Sequence, residues 1–265
     1  MKTIFITGAS TGLGKAAARL FQSRGWNVIA TMRNPDAAPE LAALDNVTVL
    51  PLDVTNLEQI KSTVNKAVEL GNVDVVFNNA GYGLIGPLEA LKDEQILKQL
   101  DTNLLGVIRV TQAFIPYFRE RKSGMFISTT SIGGLVAFPL GSTYHATKWA
   151  LEGWSESMAY ELNKFGIDIK TVSPGGIKTD FVSRSLDAAT SPAYEEMTNS
   201  LFSSMEGMMA AASEPEQIAE VVYEAATDGK KQLRYVAGED AKAIYAQRLE
   251  LGAEAFREEF GKQFI

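Results

Sequence analysis

The 265-residue chain contains no cysteine and a single histidine, His145. The absence of thiols excludes a disulfide framework, a thiolate nucleophile and any zinc site that depends on cysteine ligands. One imidazole cannot supply a site with several histidine ligands, so we expect no metal. A proton donor that works at neutral pH therefore has to come from other side chains.

Basic residues and long apolar runs are also scarce. The 25 Lys and Arg residues are outnumbered by 32 Asp and Glu residues, and the net charge of −7 argues against nucleic acid as a partner. No apolar run approaches the roughly 18 residues that a membrane-spanning helix needs, so we expect no membrane segment. A strand-like run begins at Thr3 and leaves no room for a signal peptide, so the expected location is cytoplasmic.

Short β-branched runs alternate with helix-length segments along most of the chain. The runs lack polar alternation, which is typical of strands in a parallel sheet covered on both faces. This order predicts an α/β fold: a single Rossmann-type doubly wound domain over residues 1–265, with a seven-stranded parallel sheet flanked by helices. A long helix is predicted over residues 93–120. The predicted strands cover residues 3–7, 27–31, 47–50, 73–78, 125–129, 167–172 and 233–236.

A glycine-rich turn follows the first predicted strand and opens a helix. Glycine permits a tight turn and lets a pyrophosphate approach the backbone, while the helix N-terminus offers N–H groups and a positive dipole end. A purely structural turn is the alternative, but its position between strand and helix favours dinucleotide binding. The residues expected at the cofactor are Gly8, Ser10, Thr11, Gly12, Leu13 and Gly14.

The end of the second predicted strand carries Met32 and Arg33. Folds that prefer NAD place an acid there to hold the ribose 2′-hydroxyl, and Met32 cannot do so. The guanidinium of Arg33 suits a 2′-phosphate, so we expect NADP(H), with a solvated surface arginine as the alternative. Further cofactor contacts are expected after the third and fourth strands, near the adenine, from Asp53, Val54, Asn79, Ala80 and Gly81.

Tyr144 and Lys148 stand four residues apart on a predicted helix, so both lie on one face. A free tyrosine has a pKa of about 10, and a neighbouring ammonium is expected to lower it. Such a pair provides a proton donor without histidine or cysteine. The spacing alone is common on surface helices. We interpret His145 as a packing residue, because it points to another face of the helix.

The order of these motifs resembles the short-chain dehydrogenase/reductase family over residues 1 to about 180. Ser131 precedes Tyr144 by 13 residues, the separation that the catalytic serine of that family has. The resemblance implies that Tyr144 is the general acid–base and that Ser131 hydrogen-bonds the substrate carbonyl. It implies that Lys148 lowers the tyrosine pKa and holds the nicotinamide ribose, and that Asn103 anchors a water between Lys148 and solvent. The segment expected to pass the nicotinamide contributes Pro174, Gly175, Ile177 and Thr179.

The function implied is that of an NADP(H)-dependent oxidoreductase, which interconverts a carbonyl and a secondary alcohol on an apolar small molecule. Two alternatives stay open: an NAD(H)-dependent alcohol dehydrogenase of the same family, and a non-catalytic NADP(H)-sensing protein on the same scaffold. The intact Ser131, Tyr144 and Lys148 set favours an enzyme, since a sensor needs no proton donor.

Two segments depart from the alternating order. Residues 179–212 are rich in methionine and predict a mobile lid over an apolar substrate pocket, with two core-filling helices as the alternative. Residues 238–265 predict a charged helical extension that would cover the edge strand of the sheet. Because tetramers in this family often use that edge, covering it would leave a homodimer or a monomer, and a homotetramer also stays open. The apolar residues of the expected lid are Phe181, Leu186, Tyr194, Met197, Leu201, Phe202, Met205, Met208 and Met209.

Overall fold

The main feature of the computed structural model, which describes residues 1–179, 185–210 and 212–264, is a seven-stranded parallel sheet. Its strands are β1 (Thr3–Thr7), β2 (Asn27–Met32), β3 (Val47–Pro51), β4 (Val75–Asn78), β6 (Gly124–Thr129), β7 (Ile167–Pro174) and β9 (Arg234–Ala237). They lie in the order β3-β2-β1-β4-β6-β7-β9. A separate parallel pair joins β5 (Gly83–Ile85) to β8 (Leu186–Ala188). The predicted fold class is confirmed.

The helices pack on both faces of this sheet. The face that contains α1 and α8 buries one apolar cluster, and the face that contains α3, α5 and α6 buries another. The helices are α1 (Gly12–Ser23), α2 (Pro39–Ala42), α3 (Leu57–Leu70), α4 (Asp93–Leu100), α5 (Gly106–Arg121), α6 (Ser142–Leu162), α7 (Glu195–Ala210), α8 (Pro215–Thr227), α9 (Glu239–Leu251) and α10 (Ala253–Gly261).

Strand β1 shows why the strands are continuous apolar runs in the sequence. Ile4 and Ile6 point into the cluster on the α1 side, whereas Phe5 points to the opposite side. There the ring of Phe5 meets the ring of Phe114 edge-on, with 5.0 Å between their centroids. Because successive side chains of a strand point to opposite faces and both faces are covered, every position of β1 is buried.

The chain reverses direction across the sheet next to β1, which lies between β2 and β4. From β1 the chain builds β2 and β3 toward one edge and then returns to place β4 on the other side. The hydroxyl oxygen of Thr7, at the end of β1, accepts hydrogen bonds from the N–H groups of Asn79 and Ala80 at 2.9 and 3.1 Å. The loops that follow β1 and β4 thus meet at a switch point, where open α/β sheets bind ligands.

The long helix predicted over residues 93–120 is present, but it contains a wider turn. A π-helical segment, Asp101–Leu105, joins α4 directly to α5. Such a turn inserts one extra residue into the helix, often at a functional site. Asn103 lies in this segment and is almost completely buried.

The two departing segments pack against each other. Residues 180–184, among them Phe181, and residue 211 lie outside the described part of the chain. In the part that is described, α7 packs through Leu201 against the rings of Phe256, Phe260 and Phe264 from the C-terminal extension. The same cluster includes Ile85 of β5. The extension is therefore two helices with an apolar face, joined to the segment expected to form a lid.

No helix in the described ranges is both long enough and apolar enough to cross a bilayer.

Candidate active site

A cavity of about 840 Å³ runs along the carboxyl ends of the strands, beside the switch point. Nearly all of the residues expected at the site from the sequence line this cavity. They are Gly8, Ser10, Thr11, Gly12, Leu13, Arg33, Asp53, Val54, Asn79, Ala80, Gly81, Ser131, Tyr144, Lys148, Pro174, Gly175, Ile177 and Thr179. Gly14 and Asn103 are not on the wall and lie behind it.

The glycine-rich turn leaves space that side chains would fill. A Cβ on Gly8, whose φ is +67°, would lie 2.8 Å from the Cα of Ala80. A Cβ on Gly14 would lie 2.6 Å from the amide nitrogen of the Asn79 side chain, so Gly14 permits close packing rather than lining the cavity. The helix that follows begins after Thr11 with no side-chain cap and no acidic residue in its first turn. Its free N–H groups and dipole therefore fit the pyrophosphate of a dinucleotide.

Asn103 supports the loop that follows β4. Its side-chain oxygen accepts the N–H of Tyr82 at 3.0 Å, and its side-chain nitrogen donates to the carbonyl oxygen of Tyr82 at 2.8 Å. Both ends of the amide are thus engaged by one backbone unit, next to Gly81 on the cavity wall. The structure shows Asn103 fixing this loop, and its implied role as a water anchor stays a prediction.

Arg33 lies at the expected end of the cavity, directly after β2. It is exposed, and within the described ranges its guanidinium has no ion-pair or hydrogen-bond partner. Met32 is buried beside it and brings no carboxylate to this end. Asp53 lies on the wall with its carboxylate oxygen accepting the N–H and the hydroxyl of Thr55 at 2.9 and 2.8 Å. The free cation in this part of the wall fits an anionic group such as a 2′-phosphate.

Ser131 and Tyr144 come from different elements and meet at the cavity. Ser131 caps a short helical turn, where its hydroxyl oxygen accepts the N–H of Gly133 at 3.0 Å. Tyr144 stands in the first turn of α6 and is half-buried. The hydroxyl of Ser131 lies near enough to the phenol of Tyr144 to lower the pKa of that phenol. Two hydroxyl groups are thus presented together to any carbonyl oxygen bound in the cavity.

Lys148 lies one turn after Tyr144 and is buried. Its ammonium nitrogen donates to the carbonyl oxygen of Thr129 at 2.9 Å and lies 5.7 Å from the centroid of the Tyr144 ring. Burial lowers the pKa of Lys148 to about 8, although the carboxylate of Glu152 acts in the opposite direction. Lys148 is therefore mainly protonated at neutral pH and close to losing its proton.

The expected direction of the tyrosine pKa shift is wrong for this structure. Burial raises the pKa of Tyr144 above its ordinary value, and the hydroxyl of Ser131 only partly opposes that effect. The phenolate is disfavoured because the cavity wall desolvates it, while the ammonium of Lys148 is held by Thr129. Tyr144 is accordingly a neutral phenol at neutral pH.

Comparison with known proteins decides the family. Residues 2–189, well over half of the chain, match the family model described as short chain dehydrogenase. The chain belongs to this family. As a short chain dehydrogenase it is an oxidoreductase, and the family uses a nicotinamide cofactor on small-molecule substrates.

Individual relatives extend the likeness beyond the matched range. Human 17-beta-hydroxysteroid dehydrogenase type 1 is 34% identical over 265 residues, covering 93% of this chain and 80% of that protein. The crystal structure of a short-chain dehydrogenase from Streptomyces avermitilis has a TM-score of 0.88 and 32% identity, covering 98% of this chain and 95% of that one. An alcohol dehydrogenase from the archaeon Thermococcus sibiricus, complexed with 5-hydroxy-NADP, has a TM-score of 0.74 and 27% identity, covering 90% and 96%.

His145 of this dehydrogenase has a structural position next to the tyrosine. Its Nδ1 lies 2.6 Å from the carbonyl oxygen of Gly133, and its Nε2 accepts the N–H of Phe138 at 3.2 Å. Burial lowers the pKa of His145, so the ring is neutral and donates through Nδ1. Through these two contacts the imidazole fixes the loop that follows Ser131, as expected of a packing residue.

Asp240, which the sequence analysis missed, lies behind the segment expected to pass the nicotinamide. Its carboxylate accepts the N–H of Gly176 at 2.7 Å, and a Cβ on Gly175 would overlap with that carboxylate. The second carboxylate oxygen is buried without a hydrogen-bond partner among the described residues. The signal in the sequence was the pair of glycines at 175 and 176, which leaves room for a side chain from elsewhere in the chain.

The other end of the cavity is apolar. Ile132 and Phe138 contribute from the loop after β6, and Ile244 contributes from α9. Helix α7 adds Leu201 and Met205, so the segment expected to form a lid does line the cavity. The loop and α9 residues were not predicted from the sequence, because their place on the cavity wall depends on how distant parts of the chain pack.

Proposed function

We propose that this dehydrogenase interconverts a carbonyl and a secondary alcohol on an apolar small molecule, with NADP(H) as its cofactor. The observation that carries the proposal is that Ser131 and Tyr144 lie together on the wall of a cavity that also contains the glycine-rich turn. One end of that cavity suits a dinucleotide, and the other end suits an apolar group. The hydroxyl pair lies on the wall of the same cavity.

The preference for NADP(H) over NAD(H) rests on Arg33. The guanidinium is free of partners in the described ranges, and Met32 replaces the acid that would hold a ribose 2′-hydroxyl. The Thermococcus sibiricus relative, which was solved with 5-hydroxy-NADP, supports the same choice. Gly8, Gly14 and the uncapped start of α1 would hold the pyrophosphate.

The residues around the hydroxyl pair have distinct tasks. A bound reduced nicotinamide supplies the hydride that the carbonyl carbon accepts. Ser131 and Tyr144 both donate hydrogen bonds to the carbonyl oxygen, so they stabilise the negative charge that grows there. Tyr144 then transfers its phenolic proton to that oxygen. The ammonium of Lys148, one helical turn away, offsets the charge that the phenolate acquires.

The raised pKa of Tyr144 bears on the direction of the reaction. A phenol that keeps its proton at neutral pH is ready to act as an acid, which is the form that carbonyl reduction requires. Alcohol oxidation requires the phenolate, and burial disfavours that form. We therefore propose that the resting Tyr144 is, at neutral pH, in the form that catalyses carbonyl reduction.

The substrate proposed is an apolar ketone, because Ile132, Phe138, Leu201, Met205 and Ile244 form the wall beyond the hydroxyl pair. The human relative is named for a hydroxysteroid, which supports the inclusion of rigid, bulky ketones among the candidates.

The test is to mix the purified protein with NADPH or NADH and with steroidal, aliphatic and aromatic ketones, and to follow cofactor absorbance. We expect turnover with NADPH and an apolar ketone. The Tyr144→Phe variant should bind NADPH as the unmodified protein does, while turnover falls by about 10²- to 10⁴-fold. Tight NADPH binding without turnover of any ketone would support the sensing alternative, and a clear preference for NADH would overturn the cofactor assignment.

A further inference from the structure

A buried carboxylate lies on the same helix as Lys148, one turn further along. Glu152 is 4% exposed and does not line the cavity. One carboxylate oxygen accepts the hydroxyl of Ser173 at 2.9 Å. The other accepts the Nε–H of Arg234 at 2.8 Å and the hydroxyl of Thr171 at 3.3 Å. A buried carboxylate with this many hydrogen-bond donors is fixed in place.

The partners of Glu152 lead to two functional segments. Ser173 directly precedes Pro174, where the nicotinamide segment begins, and its hydroxyl oxygen accepts the hydroxyl of Thr130 at 2.9 Å. Thr130 stands between Thr129, whose carbonyl oxygen holds Lys148, and Ser131. A continuous chain of hydrogen bonds therefore connects Glu152 of α6, Ser173 near the end of β7, and Thr130, the residue before Ser131.

Lys98, Asp53, Asp187 and Asp240 line the same cavity as Lys148, but the charge that acts on the pKa of Lys148 is that of Glu152. On the helix of Lys148 are Tyr144, Glu152 and the neutral His145; strand β6 contributes the Thr129 carbonyl. Strand β9 contributes Arg234, which in turn interacts with Tyr245 of α9. The charged residue of β7, Lys170, is engaged by Asp228 and Tyr235, and Asp240 accepts the N–H of Gly176. Among the described residues, Glu152 is thus the carboxylate that acts on Lys148, and Arg234 is the cation paired with it.

We propose that the Glu152–Arg234 pair is a positioning device that sets the protonation of the Tyr144–Lys148 couple. Glu152 provides negative charge one turn behind Lys148 and thereby favours the ammonium. Arg234 neutralises part of that charge, so the couple stays protonated at neutral pH yet can still exchange protons. This inference rests on the proposed function, because it assigns the pair to the reaction that Tyr144 is proposed to carry out.

The charges of Glu152 and Arg234 should shift the titration of the Tyr144–Lys148 couple in opposite directions, and the test uses this difference. Glu152→Gln removes the negative charge, so the Tyr144–Lys148 couple should lose its proton at lower pH. Arg234→Gln leaves the carboxylate uncompensated, so the couple should hold its proton to higher pH. We expect each shift to be about one pH unit, the low end of what a neighbouring charge causes. The double variant should return close to the unmodified protein, because both charges are gone.

Two readouts separate this inference from the proposed function. The first is the alkaline limb of the pH profile of NADPH-dependent ketone reduction. The second needs no turnover: the near-ultraviolet absorbance of the Tyr144 phenolate, isolated by subtracting a titration of the matching Tyr144→Phe protein. A protein that reduces no ketone would end the proposed function, while the absorbance titration would still test the pair.

The control is Asp228→Asn, which breaks the buried Lys170–Asp228 ion pair elsewhere in the fold. This variant should lose thermal stability without moving either titration. Opposite shifts for Glu152→Gln and Arg234→Gln, with cancellation in the double variant, support the inference. Shifts in the same direction, or shifts no larger than that of the control, would overturn it and reduce the pair to a structural contact. If one single variant fails to fold, the shift of the other single variant, measured against the double variant, decides: a shift in the stated direction supports the inference and no shift overturns it.

Discussion

The ammonium nitrogen of Lys148 donates its hydrogen bond to the carbonyl oxygen of Thr129, not to the phenol of Tyr144, whose ring centroid lies 5.7 Å away. The charged ammonium of Lys148 is thus held by the carbonyl group at the end of β6, inside a buried site. Keeping a buried ammonium there costs free energy, because a single carbonyl oxygen replaces water around it. The burial of Lys148 is accordingly unfavourable for stability, and its proposed role in catalysis explains why it is kept there.

Replacing Lys148 with methionine should therefore stabilise the cofactor-free protein while abolishing ketone reduction. Burial lowers the pKa of Lys148 from 10.5 to about 8. The corresponding cost is roughly 3 kcal/mol, of which the lost hydrogen bond to Thr129 would return about 1. A net gain of about 2 kcal/mol should raise Tm by a few degrees, measured by calorimetry at pH 7.

The sign of this effect fixes its pH window. Because the pKa is lower in the folded state, the cost is fully present below about pH 8 and disappears as the pH rises toward 10.5. The advantage of Lys148→Met should shrink over that range. Lys61→Met, which removes a cation from an exposed pair with Glu58, serves as the control and should change Tm little. A Lys148→Met protein less stable than the unmodified protein at pH 7 would contradict the argument.

Replacing Arg33 with alanine should separate the two nicotinamide cofactors. Charge-assisted hydrogen bonds to a 2′-phosphate contribute about 1.5 to 3 kcal/mol, so the Kd for NADPH should rise by about 10- to 100-fold. The Kd for NADH should stay unchanged, since that cofactor has no phosphate at the 2′ position. Fluorescence titration measures both constants. Arg24→Ala, at an exposed pair with Glu220, is the matched control, and equal NADPH affinity in both variants would refute the role of Arg33.

The parallel sheet could be predicted from local sequence, because strands covered on both faces are continuous apolar runs. Each predicted strand corresponds to an observed one, with ends that differ by up to two residues. The three-residue strands β5 and β8 were missed because a run so short shows no period. The sequence also predicted the main site residues: the glycine-rich turn, Arg33 and the Tyr144–Lys148 pair. Their order and spacing indicate where the chain reaches the edge of the sheet.

What the sequence could not provide depends on distant packing. The raised pKa of Tyr144 follows from the surrounding wall, and no spacing along α6 reveals that burial outweighs a nearby ammonium. Asp240 stands 64 residues after the N–H group that it accepts. The wider turn at Asp101–Leu105 was hidden as well, because its residues have ordinary helical character.

Replacing Asp240, which also lines the cavity, with alanine should weaken cofactor binding through the segment expected to pass the nicotinamide. The substitution leaves the Gly176 N–H without its acceptor and removes the side chain that fills the space beside Gly175. An unsatisfied donor costs about 1 to 3 kcal/mol when fully buried, so the partly buried Gly176 N–H should cost less, and part of that cost should appear as a higher Kd for NADPH. Glu239→Ala changes the preceding, highly exposed residue and should bind NADPH normally. Indistinguishable affinities for the two variants would exclude Asp240 as a support of this segment.

Phe256 should influence substrate size through helix α7. Its ring stacks on Phe260 with 5.1 Å between centroids, and both pack against Leu201, which lines the apolar end of the cavity. Phe256→Ala removes that support, so the protein should lose about 3 to 5 kcal/mol of stability. The KM for bulky ketones should rise more than the KM for small ones, because bulky substrates need contacts along the whole wall.

Steady-state kinetics with a small and a bulky ketone, together with NADPH titration, distinguishes this effect from general unfolding. The glycine-rich turn and Arg33 are remote from the Phe256 cluster, so the Kd for NADPH should be retained at temperatures where the variant is folded. Leu249→Ala, at an exposed position of the same extension, should leave all three constants unchanged. If Phe256→Ala altered both KM values and the cofactor affinity equally, the extension would have to act on the whole site rather than on the substrate wall alone.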